Sequence, residues 1–129
     1  MPAEQTFTDY KIISLEEISS RVRSWRKESR KLVFTNGCFD ILHSGHVRYL
    51  QTAAGFGDIL VLGLNSDSSV RKLKGPRRPI MTQADRAYLL SALEAIDYIV
   101  IFDEETPARL IQTVSPDVLV KGGDYLPED

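Results

Sequence analysis

The run from Asp58 to Leu64, DILVLGL, constrains the fold more than any other stretch of the chain. It is near-continuously apolar, as expected of a strand covered on both faces, and such strands belong to parallel sheets with helices above and below. The remaining segments supply those layers. Ser14 and Glu17 form a capping box, and Leu15, Ile18, Val22 and Trp25 trace one apolar stripe, so a helix is predicted that ends in the charged run 26–30. Lys31–Thr35 reads as a short buried strand broken by Asn36-Gly37, and Val47, Leu50, Ala53 and Ala54 recur at helical spacing from near Gly45. Gly55 and Gly57 stop that helix. Ser68–Lys74 reads as a short helix, and Pro76 and Pro79 force a loop after it. Thr82 caps a helix with Ala84, Ala87, Leu89, Leu90 and Leu93 on its apolar side. Tyr98–Phe102 is the third strand, Thr106-Pro107 opens a helix facing inward through Leu110, Ile111 and Val114, and Val118–Val120 is the fourth strand.

Strands alternating with helices over 129 residues predict one domain, an open parallel α/β sheet with helices on both faces. Residues 1–13 are polar and unpatterned and are expected to form a flexible arm; 14–129 form the domain, its first helix an addition before the first strand. The net charge of −2 gives no general attraction to nucleic acid or an anionic membrane. No apolar run approaches the roughly 20 residues that span a bilayer. A single cysteine excludes an internal disulfide framework and fits a reducing cytoplasm, and the start lacks the layout of a secretory signal. A cytoplasmic protein acting on small molecules is expected, with neither nucleic acid nor membrane as partner.

In such sheets the ligand lies beyond the carboxyl ends of the strands. The distinctive polar residues fall there: Asn36 to His46 after strand one, Asn65 and Asp67 after strand two, and Lys121, Gly122, Gly123 and Asp124 after strand four. His43 and His46, in His-Ser-Gly-His, share one face of a helix start with Cβ atoms roughly 5–6 Å apart. Together with the helix N-terminus and Lys72, Lys74, Arg77, Arg78 and Arg86 they suit a polyphosphate. The chain has neither a GxxxxGK[ST] loop nor a GxGxxG turn after the first strand, which argues against a P-loop kinase and a dinucleotide redox cofactor. Displacement at an α-phosphorus fits instead: it requires an in-line nucleophile and neutralised phosphate oxygens, not a covalent catalyst.

The segments 35–50 (TNGCFDILHSGHVRYL), 57–67 (GDILVLGLNSD), 74–80 (KGPRRPI), Asp85-Arg86 and 116–125 (PDVLVKGGDY) resemble the His-x-Gly-His nucleotidyltransferases. Within them the chain is similar to the cytidylyltransferase-like branch, and there to adenylyltransferase domains that make ADP-heptose for lipopolysaccharide precursors. The resemblance implies a Rossmann-like sheet, ATP and D-glycero-β-D-manno-heptose 1-phosphate as substrates, Mg²⁺ on the triphosphate, and a homodimer. It implies that His43 and His46 bind the α- and β-phosphates and stabilise the transition state. Lys74, with Lys72 second, would reach the β/γ oxygens and sugar phosphate from a mobile loop, and Arg86 would support the triphosphate. Backbone groups around Asn36, Gly37, Cys38, Phe39 and Gly45 would cradle ATP, and Asp40 would orient the site or meet substrate. Asn65, Asp67, Lys121, Gly122, Gly123 and Asp124 would complete the border. The family continues with a further strand and a Ser/Thr-rich turn opening a helix. Neither is found by residue 129, so a pocket open on that side with weakened ATP binding is expected.

Plainer readings exist. Each histidine could bond a backbone carbonyl at the helix start, and Arg86 could be an ordinary surface arginine. The cations of 72–78 could be a solvated loop, and Lys121–Asp124 a simple turn. Cys38, His43, His46 and Asp40 have the ligand types of a zinc site, and Cys38 with a histidine those of a thiol nucleophile, although an inert buried thiol is the expectation at a strand end. The rival functions are a cytidylyltransferase acting on a small alcohol phosphate such as glycerol 3-phosphate, a non-catalytic nucleotide-binding module, and a zinc hydrolase.

Overall fold

A computed structural model describes residues 9–121. Four strands, β1 (Leu32–Gly37), β2 (Ile59–Asn65), β3 (Tyr98–Phe102) and β4 (Val118–Leu119), form one sheet in the order β3-β2-β1-β4, with every pair parallel. The helices are α1 (Leu15–Lys27), α2 (Ser44–Ala54), α3 (Asp67–Lys74), α4 (Gln83–Ser91) and α5 (Ala108–Val114). Side chains alternate across the pleat, so each strand feeds two cores. On one face Leu32, Phe34, Val61 and Val100 pack with Ile18, Val22 and Trp25 of α1 and Leu110 and Val114 of α5. On the other, Val33, Leu60, Leu62, Leu64 and Ile99 pack with Leu50 and Ala53 of α2 and Ala87 and Leu90 of α4. Every residue of β2 is buried, the two-sided covering that its run of apolar residues implies.

The amino-terminal edge of the sheet is fastened by three aspartates, each one residue before its strand. Asp58 accepts the Lys31 N–H (2.7 Å), Asp97 the Leu60 N–H (2.7 Å) and Asp117 the Leu32 N–H (2.8 Å). Each returns its own N–H to a carbonyl in or just before the neighbouring strand, Lys31, Leu60 and Leu32 respectively. The pattern is visible in sequence, as Asp-Ile-Leu-Val, Asp-Tyr-Ile-Val and Asp-Val-Leu-Val, yet propensity alone assigns it no task. Arg26 of α1 adds a bond from Nη1 to Asp117 and one from Nη2 to the Ser115 carbonyl, closing α1 onto the end of α5.

The expected flexible arm is held from residue 9 onward. Asp9–Lys11 form a 3-10 turn, Lys11 is buried with its ammonium on the Leu93 carbonyl (3.0 Å), and the Ile13 N–H bonds the Ile99 carbonyl on the outer side of β3. Polarity hides this attachment in the sequence, because the partners of Lys11 and Ile13 are backbone carbonyls of Leu93 and Ile99, far along the chain.

Because β2 and β4 flank β1 on opposite sides, the chain changes direction around β1, and the crevice at the carboxyl end of β1 is where a ligand is received in such a sheet.

Candidate active site

β1 ends at Gly37, and the chain turns through Cys38, Phe39 and Asp40 into α2. Phe39 takes a left-handed conformation (φ 48°), rare for a residue with a side chain and worth about 1–3 kcal/mol of strain, which the surroundings must impose. The turn presses the Phe39 ring edge-on against His46, with centroids 5.3 Å apart.

The two imidazoles cap the helix they begin. His43 is the N-cap residue, and its Nδ1 accepts the Gly45 N–H at 3.0 Å; His46 Nδ1 accepts the His43 N–H at 3.2 Å. The ring centroids are 3.9 Å apart. An acceptor at Nδ1 places the proton of each neutral ring on Nε2. At Nδ1 the backbone is the donor and the ring the acceptor, the reverse of a ring donating to a carbonyl. His43 is exposed and His46 buried, so the pair reaches from the core to the crevice. Gly45 lies between them because a Cβ there would stand 2.9 Å from Cε1 of His43.

Arg86 is the largest fully buried side chain among the described residues, so the plainer reading of an ordinary surface arginine does not hold. Its Nε donates to the Met81 carbonyl (3.0 Å), its Nη1 to the Cys38 (2.8 Å) and Asn65 (2.7 Å) carbonyls, and its Nη2 to the Asp67 carboxylate (2.7 Å). One planar guanidinium therefore ties the ends of β1 and β2, the start of α3 and the approach to α4. A compact ammonium could not reach all four acceptors. The helical periodicity that puts Ala87 and Leu90 inward carries Arg86 inward as well.

Asp40 is also committed within the protein. Its buried carboxylate accepts the N–H groups of Ile80 (2.8 Å) and Met81 (3.0 Å) and the Arg78 guanidinium (2.9 Å). Burial alone would raise its pKa, but the Met81 and Ile80 N–H groups and the Arg78 charge together hold the carboxyl below the usual range. Asp67 N–H donates to Gln83 Oε1 (2.9 Å), and Asn65 Nδ2 to Ser69 Oγ (2.9 Å), which itself donates to the Glu104 carbonyl (2.7 Å). Asn65 and Asp67 thus shape the rim through internal bonds.

Lys72 and Lys74 are exposed in the last turn of α3, where positive charge suits the helix terminus. Lys74 closes the helix and does not belong to the loop. The loop itself is anchored at Arg78, Ile80 and Met81, so its untethered part is short, beginning at Gly75 (φ 103°). Asn36 and Gly37 pair with Gly63 and Leu64 at the top of the sheet, and Lys121 is exposed just beyond β4. Gly122, Gly123 and Asp124 lie outside the described residues. Cys38 is buried, with its carbonyl on Arg86. One brace escapes sequence reasoning: the Tyr49 hydroxyl of α2 meets Thr35 Oγ1 (2.6 Å) and the Val120 carbonyl (3.3 Å), joining β1 to the chain after β4. Only strand pairing brings these residues together, so no local signal announces them.

A family model described as cytidylyltransferase-like matches residues 34–128. Bifunctional protein HldE of Geobacter metallireducens is 56% identical over 128 residues, 99% of this chain and 26% of that protein. The protein of the same name from Wolinella succinogenes is 63% identical over 115 residues, 89% of this chain and 24% of that one. The chain thus spans about a quarter of the length of the curated relatives it matches. Among solved structures, the lipopolysaccharide core biosynthesis protein from Thermoplasma volcanium superposes with a TM-score of 0.64 at 33% identity, covering 70% of this chain and 72% of that one.

Proposed function

The chain belongs to the cytidylyltransferase-like family, and we propose that it transfers AMP from ATP to D-glycero-β-D-manno-heptose 1-phosphate, releasing pyrophosphate and forming ADP-heptose. The observation that carries the transfer is the imidazole pair at the start of α2. Both rings are oriented through Nδ1 by backbone N–H groups and stand 3.9 Å apart at the carboxyl end of β1. A phosphate oxygen of the acceptor attacks the α-phosphorus, the bond to the bridging oxygen of the β-phosphate breaks, and pyrophosphate carries away the electron pair. Nε2–H donors beside that phosphorus meet charge as it develops on the equatorial and leaving oxygens, with no reorganisation at the moment of reaction. Lys72 and Lys74, exposed in the last turn of α3, supply positive charge for the β/γ oxygens. Among the described residues no three His, Cys, Asp or Glu side chains converge to hold a metal, so Mg²⁺ would arrive on the phosphate oxygens of ATP.

Adenine and heptose rest on likeness. The segments KGPRRPI and VKGGDY resemble those of ADP-heptose-forming domains, and the Thermoplasma structure is titled a lipopolysaccharide core biosynthesis protein. The proposed enzyme is a cytoplasmic homodimer. The deciding experiment is a screen of nucleoside triphosphates against sugar and alcohol phosphates, read by pyrophosphate release. Release with ATP and heptose 1-phosphate supports the reading. Release with CTP and glycerol 3-phosphate replaces it with the cytidylyltransferase, and nucleotide binding without turnover by any pair replaces it with a binding module. His43→Ala and His46→Ala are each expected to lower turnover by about 10²–10³, the size of losing one preorganised donor. A tenfold or smaller change at both would remove the histidines from the reaction.

A further inference from the structure

We infer that Asp40 is a positioning residue for the nucleotide's phosphate chain, acting by locking the loop between α3 and α4 against the histidine turn. This rests on the reading that the turn grips a polyphosphate, but it assigns Asp40 a task without any contact to substrate. Asp40 lies three residues before His43, at the end of the turn that presses Phe39 against His46. Its side chain is only 6% exposed, and it receives the Ile80 N–H on both oxygens (2.8 and 3.0 Å), the Met81 N–H (3.0 Å) and Arg78 Nη1 (2.9 Å). A carboxylate offers about four lone-pair sites, and four bonds use them. Asp40 is therefore filled from inside the protein.

What it holds is the return path of the cationic segment. α3 ends at Lys74, Gly75 leaves it with φ 103°, and the Arg78 N–H closes a turn on the Gly75 carbonyl at 3.2 Å. Arg78 then meets Asp40, so Lys74 is one turn removed from the lock. The other side of the same segment is fixed by Arg86, which bonds the Met81 carbonyl and the Asp67 carboxylate at the head of α3. Two buried charges thus set the distance between the lysines and the imidazoles. Without Asp40, Lys72 and Lys74 would still be present and still charged, yet no longer held at one separation from His43 and His46.

The test is the affinity of the protein for ATP and for AMP, measured by calorimetry on the unaltered chain and on Asp40→Asn, Arg78→Gln and Arg78→Lys, with unfolding of each followed by circular dichroism. Loss of alignment falls on the β/γ-phosphates. Asp40→Asn is thus expected to weaken ATP about tenfold or more and AMP less than about threefold, since binding loses the preorganisation of the groups that meet the β/γ-phosphates. Arg78→Gln should weaken ATP in the same selective way to a smaller degree, and Arg78→Lys should restore part of it. A merely structural aspartate would lower the melting temperature and weaken both nucleotides equally, or neither; either result overturns the inference. If Asp40→Asn does not fold, the ATP-to-AMP ratio of Arg78→Gln decides alone, an unchanged ratio overturning it. If the unaltered chain itself does not prefer ATP over AMP, the polyphosphate reading falls first and this inference with it.

Discussion

His43 and Gly45 constrain each other through space. The Cβ of an alanine at 45 would lie 2.9 Å from His43 Cε1 and 3.0 Å from its Nδ1, where the Gly45 N–H now bonds. Helix propensity favours alanine over glycine by about 1 kcal/mol, so Gly45→Ala should leave the melting temperature within a few degrees while turnover falls at least tenfold. Equal losses in both, or in neither, would contradict the coupling. Arg86→Met has the opposite signature. It leaves three carbonyls and the Asp67 carboxylate without their donor, and removing one partner of a buried pair costs about 3–5 kcal/mol, so thermal unfolding should show the loss before any assay does. Asp40 gives a pH effect of definite sign. Its folded pKa lies below the ordinary carboxylate value, so near that value, roughly 4, the unfolded chain binds more protons. The stability it contributes is present above that value and is lost as pH falls through the lower, folded one. Asp40→Asn should flatten the acid side of a plot of melting temperature against pH.

At the scale of elements, α2 is both a packing helix and the carrier of the reaction groups. Leu50 and Ala53 bury its inner face, while its first turn is capped by imidazole nitrogens in place of the usual hydroxyl or carboxylate oxygen. Loss of a cap costs about 1 kcal/mol, so His43→Ala mixes lost stability with lost chemistry. His43→Asn separates them, because asparagine caps well but brings no Nε2–H. Its melting temperature should exceed that of His43→Ala while turnover remains as low, and recovery of activity in His43→Asn would show that His43 only caps. The sheet's other edge is fastened with equal economy. Asp97→Ala would strand the Leu60 N–H at a cost of about 1–3 kcal/mol. Burial, however, raises the Asp97 carboxyl above its ordinary range, and the bond from Leu60 offsets this only in part. Replacing it by asparagine should therefore be much milder.

Across the whole molecule, the two ends of the sheet have separate tasks. Aspartates on backbone N–H groups hold the amino-terminal edge, while Arg86 and Asp40 gather the carboxyl-terminal loops around the imidazoles. The segment 9–13 covers part of the outer side of β3 through the Ile13–Ile99 bond and the bridge between Ile12 and Ile99. Uncovered strand edges promote association, so removing residues 1–13 should increase self-association in sedimentation, in proportion to protein concentration. The layered parallel sheet, the order of its elements and the histidine turn were determined by sequence alone, because hydrophobic period and turn chemistry act within a few neighbours: β3 occupies the residues that YIVIF marks out, and α2 starts one residue before Gly45. β1, however, runs on through Asn36 and Gly37, where its sequence suggests a break. What Arg86 and Asp40 do was decided only by the tertiary structure. Charge type says that an arginine can meet phosphate; whether it faces solvent or the carbonyls of Cys38, Asn65 and Met81 depends on strands far apart in the chain arriving side by side. The Tyr49 brace and the docked arm have the same origin, since their partners lie far along the chain and come within reach only after the sheet has formed.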